Sequence, residues 1–98
     1  MDPYYQDDLV TIYHDDCRNV LPELESVEAV ITDPPYGLDF MGRGWDHGIP
    51  GVAFWIAIRN AMKPGAHLLA FSSPRTHHRL MCAIEDAGFE IPDCLAWF

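Results

Sequence analysis

The chain's pattern predicts an α/β fold, with a mostly parallel sheet and helices on both of its faces, and three observations point to it. Short β-branched, apolar runs alternate with helical stretches, the apolar runs are nearly continuous, and glycine or proline closes several of the segments. Continuous apolar strands belong to a sheet covered on both sides, because a half-solvated strand alternates polar and apolar residues. With 98 residues, the chain amounts to one domain or part of one.

The elements follow in order. Residues 9–13 (LVTIY) are β-branched and aromatic, and Asp15 and Asp16 then give a helix-start signal for a short helix over 17–24. Residues 27–32 (VEAVIT) form a second apolar run of strand length, which must end at Asp33 because two prolines follow. Residues 37–51 (GLDFMGRGWDHGIPG) hold five glycines and a proline, the composition of a long loop. Over 52–62, Phe54, Trp55, Ile58, Ala61 and Met62 recur at helical spacing, and Lys63-Pro64-Gly65 stops the helix. Residues 66–71 (AHLLAF) are a third strand of buried type. Pro74 opens a helix carrying Leu80, Met81, Ile84 and Ala87, and Gly88 ends it. A final strand is expected from Phe89 towards Phe98. The pattern places Trp55 and its apolar neighbours in the core and gives Glu23, Glu25 and Glu28 to solvent.

Composition narrows the classes of function. No apolar stretch is long enough to span a bilayer, and the acidic amino terminus lacks the apolar core of a secretory signal, so a cytoplasmic protein with no membrane role is expected. Cys17, Cys82 and Cys94 are an odd set without C-x-x-C spacing, which argues against a disulfide framework and a structural zinc site; they read as reduced, partly buried thiols. The net charge of -9 is unlike that of a protein gripping a phosphate backbone, so DNA contact needs most of its phosphate grip from elsewhere.

The chemistry concentrates at Asp33-Pro34-Pro35-Tyr36. Ligands of open parallel sheets sit beyond the carboxyl ends of the strands, and these four residues fall there. Each proline biases the residue before it towards extended backbone, which makes a rigid turn. An exocyclic amine on a nucleobase is a poor nucleophile because its lone pair is delocalised into the ring. Two acceptors placed on its hydrogens, the Asp33 carboxylate and the Pro34 carbonyl, would localise that pair where positive charge develops. Tyr36 offers a flat face for an extruded base, worth about 1–3 kcal/mol by analogy with single-strand binders. The plain alternative is a rigid proline-glycine turn with an exposed tyrosine.

The string VEAVITDPPYGLDF resembles the catalytic motif of amino-directed DNA methyltransferases, and GRGWDHGIPG, MKPG and AIEDAGFEIPDCLAWF are similar to segments of phage and prophage members. The resemblance covers nearly the whole chain. It implies a partial Rossmann-like methyltransferase fold, S-adenosylmethionine as cofactor, and DNA adenine, or second to it cytosine, as the base. It makes Asp33, Pro34, Pro35 and Tyr36 the base-binding catalytic residues, and Asp33 and Asp16 cofactor-binding residues. Asp16-Cys17 matches the family's Gly-Asp-Cys setting, although Asp15 stands where glycine is usual; a plain helix cap remains the alternative for either aspartate.

The family's glycine-rich cofactor motif has no match; Met41-Gly42-Arg43-Gly44 has the wrong flanks. A tetrad preceding that motif is the permuted, β-type order, so residues 1–98 read as the amino-terminal part of one catalytic domain, without the recognition region or the main cofactor pocket. The isolated chain is then expected to be inactive. In the family's sheet the strand at 9–13 is separated from that at 27–32 by two strands of the missing half, so this segment alone is expected to rearrange, oligomerise or aggregate through apolar edges. A complementary half or a second copy is the expected partner besides DNA.

Weaker signals complete the reading. Arg43, Trp45, Asp46 and His47 in the glycine-rich loop either touch DNA and close over the base or form a surface loop. Arg75, with His77, His78 and Arg79, makes a small basic patch that is either a phosphate contact or a solvated first turn of helix. Methylation of an RNA or protein amide, and an inactive remnant or subunit, are the competing functions.

Overall fold

The computed structural model describes residues 1–37 and 48–96. The order of elements is β1 (Tyr5–Gln6), β2 (Thr11–Ile12), α1 (Cys17–Val20), a 3-10 turn (Leu21–Glu23), β3 (Val27–Thr32), α2 (Val52–Asn60), β4 (Met62–Ala70) and α3 (His77–Asp86). The architecture is mixed α/β, with two small two-stranded sheets among the described residues. No helix among the described residues is long and apolar enough to cross a membrane.

The apolar run at 27–32 becomes β3, which pairs in parallel with β4; Ile31 lies opposite Leu69 and Thr32 opposite Ala70. At the start of the pair the register slips, so that Glu28 alone faces residues 63–66. The slip accommodates Pro64, which has no N–H for the ladder, and Gly65, whose φ of 80° suits a glycine. Lys63 Nζ spans it to Glu28 Oε1 at 3.1 Å. The sequence places a helix stop at Lys63-Pro64-Gly65, and α2 does end just before it; the strand, however, takes in the stop itself.

Helices α2 and α3 cover the sheet. Trp55 and Ile58 of α2 pack with Leu80 and Ile84 of α3 and with Ala87, and Val30, Leu68 and Ala70 of the sheet lie against them. The Trp55 ring is fully buried, and its indole N–H donates to the Pro50 carbonyl at 3.1 Å, so that burial leaves no polar group unmatched. Helix α3 ends in a Schellman turn: Gly88 N–H donates to the Glu85 carbonyl and Phe89 N–H to that of Ile84. Gly88 has φ 101°, which a residue with a Cβ reaches only under strain.

Five expectations are corrected. Residues 9–13 do not form a strand of the parallel sheet; only Thr11–Ile12 pairs, antiparallel to Tyr5–Gln6. The cause is local: the Asp7 carboxylate accepts the amides of Leu9 and Val10, each at 2.8 Å, which reverses the chain onto itself. The sheets are accordingly one parallel pair and one antiparallel hairpin rather than a mostly parallel sheet. Among the described residues, helices cover one face of β3 and β4 and not both, since Ile31, Leu69 and Phe71 on the opposite face are 70%, 48% and 56% exposed. Among the described residues after Gly88 there is no strand: Phe89 and Ile91 pack on the core, and Cys94 Sγ lies 3.7 Å from His77 Nε2 at the start of α3. The three cysteines, expected partly buried, are free and exposed.

Candidate functional site

Parallel pairing brings the carboxyl ends of β3 and β4 to the same side, and Phe71 N–H extends the ladder by donating to the Thr32 carbonyl at 3.0 Å. Residues 33–36 leave β3 at this end, and the turn at 72–76 leaves β4 beside them. Pro34 is buried and Pro35 half-buried, so the rigid part of the tetrad is anchored in the fold while Asp33 stays exposed. The Tyr36 hydroxyl donates to Asp33 Oδ1 at 2.6 Å, and the Thr76 hydroxyl donates to the Tyr36 carbonyl. Gly37 turns the chain with φ 74°; a Cβ there would lie 3.2 Å from the Ile49 amide nitrogen, so the chain after Tyr36 packs against residues 48 and 49.

A cavity of about 460 Å³ opens at this end of β3. One wall is Thr32, Asp33, Pro34 and Pro35; a second is Asp16, Cys17 and Arg18 from the start of α1; the third is residues 48–51 with Phe54. The bond from the Trp55 indole to the Pro50 carbonyl fixes that third wall to the core. Asp16 and Asp33, separate in sequence, therefore line one space.

Asp16 caps α1. Its Oδ1 accepts the Arg18 amide and the Arg18 Nε, both at 3.0 Å, and its Oδ2 accepts Arg18 Nη2 at 2.6 Å. These bonds, the guanidinium's first and the amide's second, hold the carboxyl at a pKa of about 2, so it is a charged acceptor at any neutral pH. Asp15 turns the other way, accepting Asn19 Nδ2 and the Asp16 amide, and does not line the cavity. Partial desolvation, and then the Asp16 charge, raise the Cys17 thiol above its ordinary pKa, which keeps it neutral and a poor nucleophile. Among the described residues no three His, Cys, Asp or Glu side chains gather as a metal site.

The remaining sequence-predicted residues lie elsewhere. Arg75 is exposed on the turn before α3, at the same end of the sheet, and does not line the cavity. Arg43 and Trp45 lie outside the described residues, as do Asp46 and His47. Sequence reasoning passed over Ile49, Pro50, Phe54 and Thr76. Phe54 reads as core by its spacing, but sits in the first turn of α2 beside Trp55 with its ring edge-on to the indole, and so reaches the cavity. No family model, no curated protein and no solved structure matches the chain.

Proposed function

We propose that the chain carries the base pocket of an S-adenosylmethionine-dependent DNA amino-methyltransferase of Rossmann-like fold, acting on adenine or, second to it, cytosine. The observation that carries the reading is the meeting of Asp33 and Asp16 on one cavity, at the strand end where residues 33–36 form a partly buried, proline-stiffened turn.

The residues present fit one edge of such a cofactor. The cavity lies within the ~300–1,000 Å³ typical of small-ligand pockets. Asp16 supplies a charged acceptor for hydroxyl or amine donors, and Ile49 and Phe54 supply apolar wall. When bound, S-adenosylmethionine would contribute an electrophilic methyl group. The chain's own part is to hold and polarise the amine: Asp33 and the Pro34 carbonyl accept its two hydrogens, localising the lone pair. The Tyr36 hydroxyl occupies Asp33 Oδ1, which orients the carboxylate and leaves Oδ2 as the acceptor for the amine. The Tyr36 ring, fixed by the same bond, offers the stacking face.

Tritium transfer from labelled cofactor to duplex DNA tests this, comparing the protein with Asp33→Ala. A loss of about 10²–10³-fold is expected, the usual cost of removing one preorganised group that meets developing charge. Transfer unaffected by the substitution overturns the mechanism. The bare face at Ile31, Leu69 and Phe71 favours a second reading, a catalytically incomplete subunit that acts through a partner chain. Transfer that appears only when a chain carrying the glycine-rich motif is added selects that reading.

A further inference from the structure

We infer that Thr76 is the positioning residue for Tyr36, an inference that rests on the base-binding role proposed for the 33–36 turn. A threonine at a helix N-cap ordinarily turns its hydroxyl onto a free amide of its own first turn, a bond worth about 1 kcal/mol. Thr76 is the N-cap of α3, yet its side chain makes no capping bond. Helix α3 is started by backbone alone, through the Arg79 and Leu80 amides donating to the Thr76 carbonyl at 3.1 and 3.3 Å. The hydroxyl instead crosses to the Tyr36 carbonyl, a residue 40 positions away in sequence.

Tyr36 is thereby tied at two points: its carbonyl to Thr76 on the β4 side, and its phenol to Asp33 at the end of β3. The next residue, Gly37, sits at positive φ, so the chain turns directly after the carbonyl that Thr76 holds. The Thr76 hydroxyl holds that carbonyl from outside the turn while Asp33 holds the far end of the ring. Thr76 is half-buried, so water competes poorly for the bond. A stacking face is useful only if its plane is fixed relative to the amine acceptors; a displacement of about 1 Å costs on the order of a hundredfold in rate.

Thr76→Val keeps the branched shape and removes the hydroxyl, while Thr76→Ser keeps the hydroxyl and trims the methyl. Ring resonances of Tyr36, assigned by their loss in Tyr36→Phe, are followed by NMR beside those of Tyr4, Tyr5 and Tyr13. Thr76→Val is expected to move the Tyr36 resonances alone, and to lower kcat for methyl transfer about ten- to a hundredfold with the KM for S-adenosylmethionine unchanged. Thr76→Ser is expected to restore both. Unmoved Tyr36 resonances in Thr76→Val, or no recovery in Thr76→Ser, overturn the inference whatever the activity. A wild-type protein without methyl transfer even when a chain carrying the glycine-rich motif is added overturns the proposed function instead, and the ring resonances still decide whether Thr76 holds Tyr36.

Discussion

The two faces of the β3–β4 pair both carry large apolar residues and are unlike in structure. On one, Val30, Leu68 and Ala70 lie under Trp55, Ile58, Leu80 and Ile84. On the other, Ile31, Leu69 and Phe71 face outward, Ile31 with 70% of its surface exposed. Strands of a parallel sheet carry apolar residues on both sides because each side normally meets a layer of helix or strand. The contrast separates two kinds of information that one sequence pattern combines: which residues seek burial, and which residues are present to bury them.

The covered face should be the more sensitive to substitution. Trp55→Ala removes the one large side chain that is fully buried among the described residues and also frees the Pro50 carbonyl from the indole. A loss of about 3–5 kcal/mol is expected in urea unfolding, a large part of the stability of a domain this size. It should also loosen residues 48–51, so ligand affinity at the cavity should fall at temperatures where the fold survives. A loss below about 1 kcal/mol would break the comparison, because it would mean that the packed face carries no more than the bare one.

A smaller effect is expected where the cover is fastened. Gly88 closes α3 at φ 101°, and a Cβ there would come within 3.2 Å of Arg59 Nε. The arginine can move, so the expected cost of Gly88→Ala is the backbone strain, about 1–2 kcal/mol of unfolding free energy, seen as a lowered midpoint of thermal unfolding. A stabilised Gly88→Ala would mean that the Schellman turn does not hold α3 on the sheet.

The same contrast explains what could be read from the sequence. β3 was legible because VEAVIT is bounded by two prolines, and α2 and α3 because Trp55, Ile58, Leu80 and Ile84 fall on helical spacing. Residues 9–13 carry strand composition, but composition does not name a pairing partner; Asp7, by binding two amides, chose one in the hairpin. The expectation of helices on both faces rests on the alternation of elements and on continuous apolar strands, and strands record the need for cover without recording which residues supply it. At the candidate site, Asp33 and Asp16 could be singled out by residue type and order. Their approach to one cavity, the loss of Asp15 to Asn19, and the bond from Thr76 to Tyr36 depend on contacts distant in sequence. Arg18 illustrates the limit: its type marks a cation, and only the fold shows that the cation is spent on Asp16.

The smallest expected effect on stability is on the bare face, where it sharpens the comparison most. Ile31→Lys replaces a side chain that the fold leaves largely in water, so its unfolding free energy should stay within about 0.5 kcal/mol of the unsubstituted chain. The change should appear in association. Ile31, Leu69 and Phe71 form adjoining apolar surface, since Ile31 and Leu69 are register partners and Phe71, two residues beyond Leu69, continues the ladder just past the end of β4. A lysine at its centre introduces a charge that any covering layer would have to desolvate. Binding of a hydrophobic dye and concentration-dependent self-association, followed by sedimentation, should both fall in Ile31→Lys, with the far-UV spectrum unchanged. A destabilisation comparable to that of Trp55→Ala would show that Ile31 is covered in solution, and the two faces would then be alike.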